Sequence, residues 1–378
     1  MRPTLSITAA VLLLAGCATD SNRTARDFAN ELPAEWAVPG VSTGQAPAFW
    51  WHNFRDDQLS EAIGHALAAN PDVWSAAARL EAAWAQAKIA GAEQLPQIDL
   101  SGGLSASQRN MAQFGVKFPD VPDSFPSESH NLTLGAQWEL DLWGRVRAGK
   151  RAARANALGQ AAEFAGARHS LAGQVAKAWM LAIEARQQAR LAKFAVSTHE
   201  TTVAQVRARF EQGILSSLDL LLARANLAEA KAQVAELESV ASQTIRRLEI
   251  LLGQFPANKL AIPAELPQVP PEIPAGVPAQ ILSRRPDLVA AEQRLFATGA
   301  SLTQANVSLY PQISLTASGG TSTSELSGLI SGDSAVWNVA ANLTQPVFQA
   351  GRLRANVRLQ RANLKAAEES FRSTMLKA

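Results

Sequence analysis

One cysteine, Cys17, stands in 378 residues, so an intramolecular disulfide is excluded. Charge of neither sign dominates: 35 lysines and arginines against 33 acidic residues leave a net charge of +2, too little to supply a field for nucleic acid. The five histidines, His52, His65, His130, His169 and His199, show no ligand spacing. A phosphate-binding glycine loop and a nucleophile elbow are both missing. The chain therefore does not read as an enzyme, and neither a metal nor a cofactor is expected. The apolar run from Leu5 to Leu14 is too short to cross a bilayer as a helix. Following Arg2, it reads as a signal peptide occupying residues 1–16. Proline is absent between Gly144 and Gly213, which leaves room for one very long helix.

What is present is said twice. Asn70-Pro71-Asp72, a helical stretch, and Leu95-Pro96-Gln97-Ile98 return as Arg285-Pro286-Asp287, a helical stretch, and Tyr310-Pro311-Gln312-Ile313, both prolines shifted by 215 positions. Trp143-Gly144-Arg145-Val146-Arg147 returns as Ala350-Gly351-Arg352-Leu353-Arg354, now shifted by 207. One unit has been duplicated, with a shorter loop in the second copy.

Each proline motif opens a run that alternates apolar and polar residues, the period of a strand with two unlike faces. Ile98, Leu100, Gly102, Leu104 and Ala106 oppose Gln97, Asp99, Ser101, Gly103 and Ser105. After a loop with Pro119, Pro122 and Pro126, Leu132, Leu134, Ala136, Trp138, Leu140 and Leu142 oppose Thr133, Gln137, Glu139 and Asp141. The second copy repeats the hairpin, with Ile313, Leu315 and Ala317 and then Trp337, Val339, Ala341 and Leu343 on the apolar side. Four strands of about 10 residues are expected, the length that crosses a bilayer when tilted. A soluble sheet over a small core would alternate in the same way. Tryptophans on the apolar faces and carboxylates on the polar ones instead fit a wall between lipid and a water-filled lumen: Leu132, Leu134, Trp138, Leu140, Trp337 and Val339 toward lipid, Gln137, Glu139 and Asp141 toward the lumen. Four strands cannot close a barrel, so several chains would have to pool them.

From Leu171, apolar residues recur at steps of four and three through Val175, Ala178, Ala182, Ala185, Ala189, Ala192 and Val196 to Val203, Val206 and Phe210. Alanine holds seam positions where leucine is usual, so helix backbones can approach closely. After Gly213 the pattern restarts at Leu227 and runs to Leu252, before Gly253 and Pro256. At 1.5 Å per residue the first helix spans roughly 100 Å and the second roughly 55 Å; the helix from Pro71 to Gln94, roughly 36 Å, would fill the difference if stacked on the second. The basic run Arg145, Arg147, Lys150, Arg151 and Arg154 reads either as a contact with anionic lipid head groups or as a solvated helix face. Residues 256–281 are proline-rich and form a connector.

Leu14-Ala15-Gly16-Cys17 resembles the bacterial lipoprotein processing site, at which cleavage leaves the cysteine as a lipid-carrying N-terminus. Ala18 follows instead of the aspartate that retains lipoproteins at the inner membrane, so a palmitate-bearing Cys17 in the outer membrane is expected.

Taken in order, Trp50-Trp51-x-x-Phe54, Asn70-x-Asp72, Trp138-Glu139-Leu140-Asp141-Leu142-Trp143-Gly144-Arg145, Arg209-Phe210-x-x-Gly213 with Ser217-Leu218-Asp219, Arg284-Arg285-Pro286-Asp287 and Gly351-Arg352-Leu353-Arg354 resemble the outer-membrane efflux lipoproteins. These are the TolC-like (OprM/NodT-like) exit ducts of tripartite RND-type pumps. The resemblance implies an α+β membrane protein of two structural repeats, mainly long α-helical hairpins forming a periplasmic α-barrel. It implies a homotrimer whose four strands per chain make a twelve-stranded transmembrane β-barrel in outer-membrane lipid. It also implies that the turn at Gly213, Ser217, Leu218 and Asp219 meets a periplasmic adaptor (membrane fusion protein), and through it an inner-membrane RND-type pump. On composition alone, Gly213 only ends one helix and Ser217 or Asp219 only caps the next.

The domain reading is then a lipidated N-terminal segment with a short helix (17–69), a first repeat (70–255: helix, hairpin 97–142, helical hairpin 144–253), the connector, and a second repeat (282–378: helix, hairpin 312–346, helix from 351). By the repeat offset the counterpart of Gly213 would fall near position 420, roughly 40 residues past Ala378, so a C-terminally truncated member is expected. The competing functions are a type I secretion exit duct and a coiled-coil spacer or adaptor lipoprotein; the latter has no use for lipid-facing strands.

Overall fold

The computed structural model describes residues 47, 49–110, 124–268 and 284–378. Cys17, the signal peptide and the second half of the connector, from residue 269, therefore lie outside the described residues. In chain order the elements are a 3₁₀ turn Trp50–Phe54, α1 Asp57–Ala69, α2 Pro71–Ala92, β1 Gln97–Asn110, β2 Ser124–Leu140, α3 Arg145–Glu211, α4 Ser217–Leu251, α5 Pro286–Val307, β3 Gln312–Thr323, β4 Ala335–Thr344 and α6 Arg352–Leu376. Contacts divide the described residues into two units, one within 82–159 and 291–377 and the other within 49–81 and 160–290.

The first of these units carries the sheet. Its four strands are antiparallel in the order β1-β2-β3-β4, so the two expected hairpins lie side by side, joined through β2 and β3. The first hairpin is longer than expected: β1 has 14 residues and β2 has 17, against 12 and 10 in β3 and β4. Backbone pairing continues past the apolar alternation because ladder hydrogen bonds do not depend on side-chain polarity.

The second unit holds an apolar core. Leu59, Ile63 and Ala66 of α1 pack with Val175, Trp179, Ala182 and Ile183 of α3 and with Ile245, Leu248 and Leu252 from the end of α4. Leu59, Ile63, Ile183 and Leu248 are fully buried, each contributing about 1.5–3 kcal/mol on the transfer scale. The alanine seam of α3 is buried from Leu171 to Ala192 and only half-buried or exposed from Val196 to Phe210. Trp51, below one-tenth exposed, sits in this core, edge-on to Phe49 and Trp50 at 5.4 and 5.8 Å.

The end of α4 meets the start of α2 through Asn70. Asn70 accepts from the amides of Asp72 and Val73 through Oδ1, capping α2, and donates through Nδ2 to the Leu251 carbonyl at the end of α4. Pro71 follows at the first helical position, where its missing N–H costs nothing. Gly253, in the left-handed region at φ 76°, lets the chain leave α4; a Cβ there would lie 2.7 Å from the Ala69 carbonyl oxygen.

Just beyond, the Glu249 carboxylate, 2% exposed, accepts from the backbone amides of Ala257, Asn258, Lys259 and Leu260 at 2.6–3.1 Å. Desolvation pushes its pKa up, but the four donors outweigh burial and hold it below the ordinary glutamate value.

Candidate functional site

The strand registers put every apolar run on one face. Leu100, Leu134, Gly319 and Trp337 form one cross-strand row, and Ile98, Ala136, Ala317 and Val339 form the next. Trp138, Leu315 and Ala341, then Leu140, Ile313 and Leu343, extend the band toward α3. At its other end Leu132 is followed on the same face by His130 and Glu128, so the band stops there on β2, while Leu104 and Ala106 continue it on β1. The opposite face carries Gln97, Gln137 and Thr316, then Asp99, Ser318 and Asn338, then Glu139, Ser314 and Asn342. The apolar face is bare: Leu100, Leu134, Trp337, Val339 and Leu343 are all more than half exposed. A continuous apolar surface of this kind calls for lipid or protein to cover it.

Where β2 hands over to α3, the basic run finds specific partners. Arg145 binds Glu139 through two hydrogen bonds, 2.9 Å from Nε and 2.6 Å from Nη2. The bond to Glu139 raises the Arg145 pKa against the lowering effect of burial. Lys150 Nζ donates to Gln94 Oε1 at 2.7 Å.

Asp141 corrects the sequence-based expectation. It lies beyond the end of β2, and its carboxylate accepts from the Val146 and Arg147 amides and pairs with the Arg147 guanidinium. It caps the N-terminus of α3 and is not a strand-face residue, because a carboxylate four residues ahead of Arg145 is folded back onto the unpaired amides of the first turn. Trp143, the residue before Gly144, donates from Nε1 to the Pro311 carbonyl at 2.7 Å and lies 5.7 Å from the Tyr310 ring. The exit of the first hairpin is thereby seated on the start of β3. Trp138, on the apolar face, donates to the Gln94 carbonyl at 3.0 Å.

The turn between α3 and α4 is compact. Gly213 has φ 72°, and the Ile214 amide reaches back to the Arg209 carbonyl, closing α3 as a glycine C-cap. A capping box starts α4, but its cap is Ser216: Asp219 N–H donates to Ser216 Oγ, and the Ser216 amide donates to Asp219 Oδ2. Of the two expected caps, Ser217 is the first residue inside the helix, and Asp219 serves as the third-residue partner in the box. The Ser216 side chain, then its amide, hold the Asp219 pKa below its ordinary value. The pattern Ser216-x-x-Asp219 was readable in the sequence. Ile214, Leu218, Leu221 and Leu222 surround this turn, each more than half exposed, while Leu220 is buried.

Among the described residues, no group of three or more His, Cys, Asp or Glu side chains is placed to hold a metal ion. No described helix is long and apolar enough to cross a membrane, which says nothing of strands.

Compared with known proteins, the chain matches the family model described as "Outer membrane efflux protein" over residues 62–254 and 277–378. The chain belongs to this family. It is 32% identical to the pyoverdine export outer membrane protein OpmQ of Pseudomonas putida KT2440, over 92% of this chain and 74% of that protein. It is 29% identical to the probable outer membrane lipoprotein SilC of Salmonella typhimurium, over 92% and 75%. Among solved structures it is similar to the outer-membrane channel OprN, with a TM-score of 0.81 and 27% identity, over 92% of this chain and 78% of that one. The family fixes the class: an outer-membrane protein of efflux systems with the TolC-like architecture of long helices and one four-stranded sheet. The chain spans 65% to 80% of the length of its curated relatives.

Proposed function

We propose that three copies of this chain pool their sheets into one twelve-stranded barrel and serve as the exit duct of a tripartite efflux pump for small solutes. The in-register apolar face carries this reading. It gives one uninterrupted lipid-facing surface, with Leu132, Leu134, Trp138, Leu140, Trp337 and Val339 on it, and leaves Gln137 and Glu139 facing water on the other side. The sheet has two open edges, β1 and β4, which hydrocarbon would not tolerate and which three-fold closure removes. Relatives named for pyoverdine export and for toluene efflux support small solutes as cargo.

At the far end of α3, the exposed Leu218, with Gly213 setting the turn and Ser217 and Asp219 beside it, offers an apolar tip to a periplasmic adaptor, which links the duct to an inner-membrane RND-type pump. Cys17 carries lipid and anchors the mature start in the outer membrane, a reading supported by Leu14-Ala15-Gly16 ahead of it and by the lipoprotein SilC among the relatives. The test is electrophoresis and conductance of protein extracted from outer membranes. An SDS-resistant oligomer that collapses on heating and forms ion-conducting pores in planar bilayers is expected; a monomer that conducts nothing would refute the duct.

A further inference from the structure

The internal repeat assigns the seam at which one chain joins the next, an inference that rests on the barrel proposed above. Leu100 pairs with Leu134 in the first hairpin, and Leu315 pairs with Ala341 in the second. Leu100 to Leu315 is the 215-residue step of the proline motifs, and Leu134 to Ala341 is the 207-residue step of the Gly-Arg motifs. The two hairpins are therefore the same hairpin, residue for residue, and β2–β3 is the junction between successive copies of it. There Leu134 lies opposite Gly319. Replacing each by its repeat equivalent, Ala341 for Leu134 and Leu104 for Gly319, describes the next junction, from β4 of one chain to β1 of another.

We propose that β4 pairs antiparallel with β1 of a second copy of this chain in the register that sets Ala341 opposite Leu104. Two features that took no part in deriving this register agree with it. First, Ala335 then meets Asn110 and Thr344 meets Ser101, so all ten residues of β4 find partners and its first residue stops level with the last residue of β1. A slip of two residues toward the loops would leave two β4 residues overhanging, with unpaired backbone groups. Second, the apolar residues of β4 meet the apolar residues of β1, Leu343 with Gly102 and Val339 with Ala106, whereas a slip of one residue would turn every side chain to the wrong face.

The same mapping explains bare apolar residues below the ladder. Within the chain Leu140 faces Ile313 across β2–β3; the equivalents are Val347 and Ile98, which are 93% and 66% exposed in the single chain. Trp143 on Tyr310 becomes Ala350 beside Leu95, itself 65% exposed. Pro346 ends β4 just before this seat, so the contact there is side-chain packing and not ladder.

Paired cysteines in the full chain, expressed in outer membranes and oxidised, test the register. Within one chain β1 and β4 are three strand spacings apart, roughly 14 Å, so a disulfide between them must join two copies. The two double variants Ala340→Cys/Ser105→Cys and Ala341→Cys/Leu104→Cys sample the two faces of the seam. The controls Ala340→Cys/Ser107→Cys and Ala341→Cys/Ala106→Cys are shifted by two residues, and the parent chain, with Cys17 alone, is the blank. A reductant-sensitive covalent oligomer from at least one of the first two pairs, and from neither control, is expected. Stronger cross-linking in a shifted pair would overturn the register. Silence in all four pairs, in chains that still run as SDS-resistant oligomers, would overturn the β4–β1 seam while leaving the duct intact. Chains that form no oligomer at all would overturn both.

Discussion

Asn70 is 5% exposed, yet its one amide group serves two helix ends, capping α2 with its oxygen and closing α4 with its nitrogen. Asn70→Ala should therefore cost more than an ordinary cap. Loss of a cap is worth about 1 kcal/mol, and the abandoned Leu251 carbonyl adds roughly 1–3 kcal/mol if water cannot reach it. Urea denaturation followed by tryptophan fluorescence would read the loss; a midpoint unchanged from the parent would mean that water replaces the amide.

Glu249 offers a pH-dependent counterpart. Its folded pKa lies below the unfolded value because four amides hold the charged form, so its contribution is fully present above about pH 4.3 and is lost as pH falls through the depressed folded value. Glu249→Gln should be destabilising at pH 7, with the gap between variant and parent narrowing in acid. A gap that is constant from pH 7 to pH 3 would show that shape, and not charge, holds the connector.

At the scale of elements, the sheet makes an asymmetric prediction. Leu134 and Gln137 lie three residues apart in β2, on opposite faces. In the proposed barrel an arginine at Leu134 sits in hydrocarbon and should cost about 2–4 kcal/mol near the midplane, while an arginine at Gln137 faces water and should be mild. Yield of heat-modifiable oligomer in outer membranes measures both, and equal tolerance would favour a soluble sheet. Much of this was legible in the sequence, because period-two alternation fixes which residues share a face once a strand exists. The role of Asp141 was not. It continues the alternation in sequence, but the strand ends at Leu140, and the unpaired amides of α3 capture the carboxylate. The basic run was equally ambiguous until Glu139 and Gln94 were seen to bind Arg145 and Lys150, since partners so chosen depend on how a strand and two helix ends converge.

For the whole molecule, the proposed barrel and the proposed anchor make separable contributions to membrane attachment. One acyl chain gives only marginal binding, whereas closed strands bury a full apolar band. Cys17→Ala should thus leave the protein in the outer-membrane fraction with its heat-modifiable oligomer unchanged, while intact mass loses the lipid. Release of the variant into the periplasm would show that the strands alone do not hold it.

The sequence by itself determined the duplication, the two-faced strands, the long proline-free helix and its alanine seam, because each is a periodicity along the chain and periodicity needs no partner to be read. Only the tertiary structure decided that β2 pairs with β3, which brings both apolar runs onto one face, and that α4 meets α2 through Asn70. It also decided that Ser216, not Ser217, starts α4. Those outcomes depend on which backbone groups are left unpaired when distant segments meet, a quantity that pairing across 181 residues sets and local pattern does not.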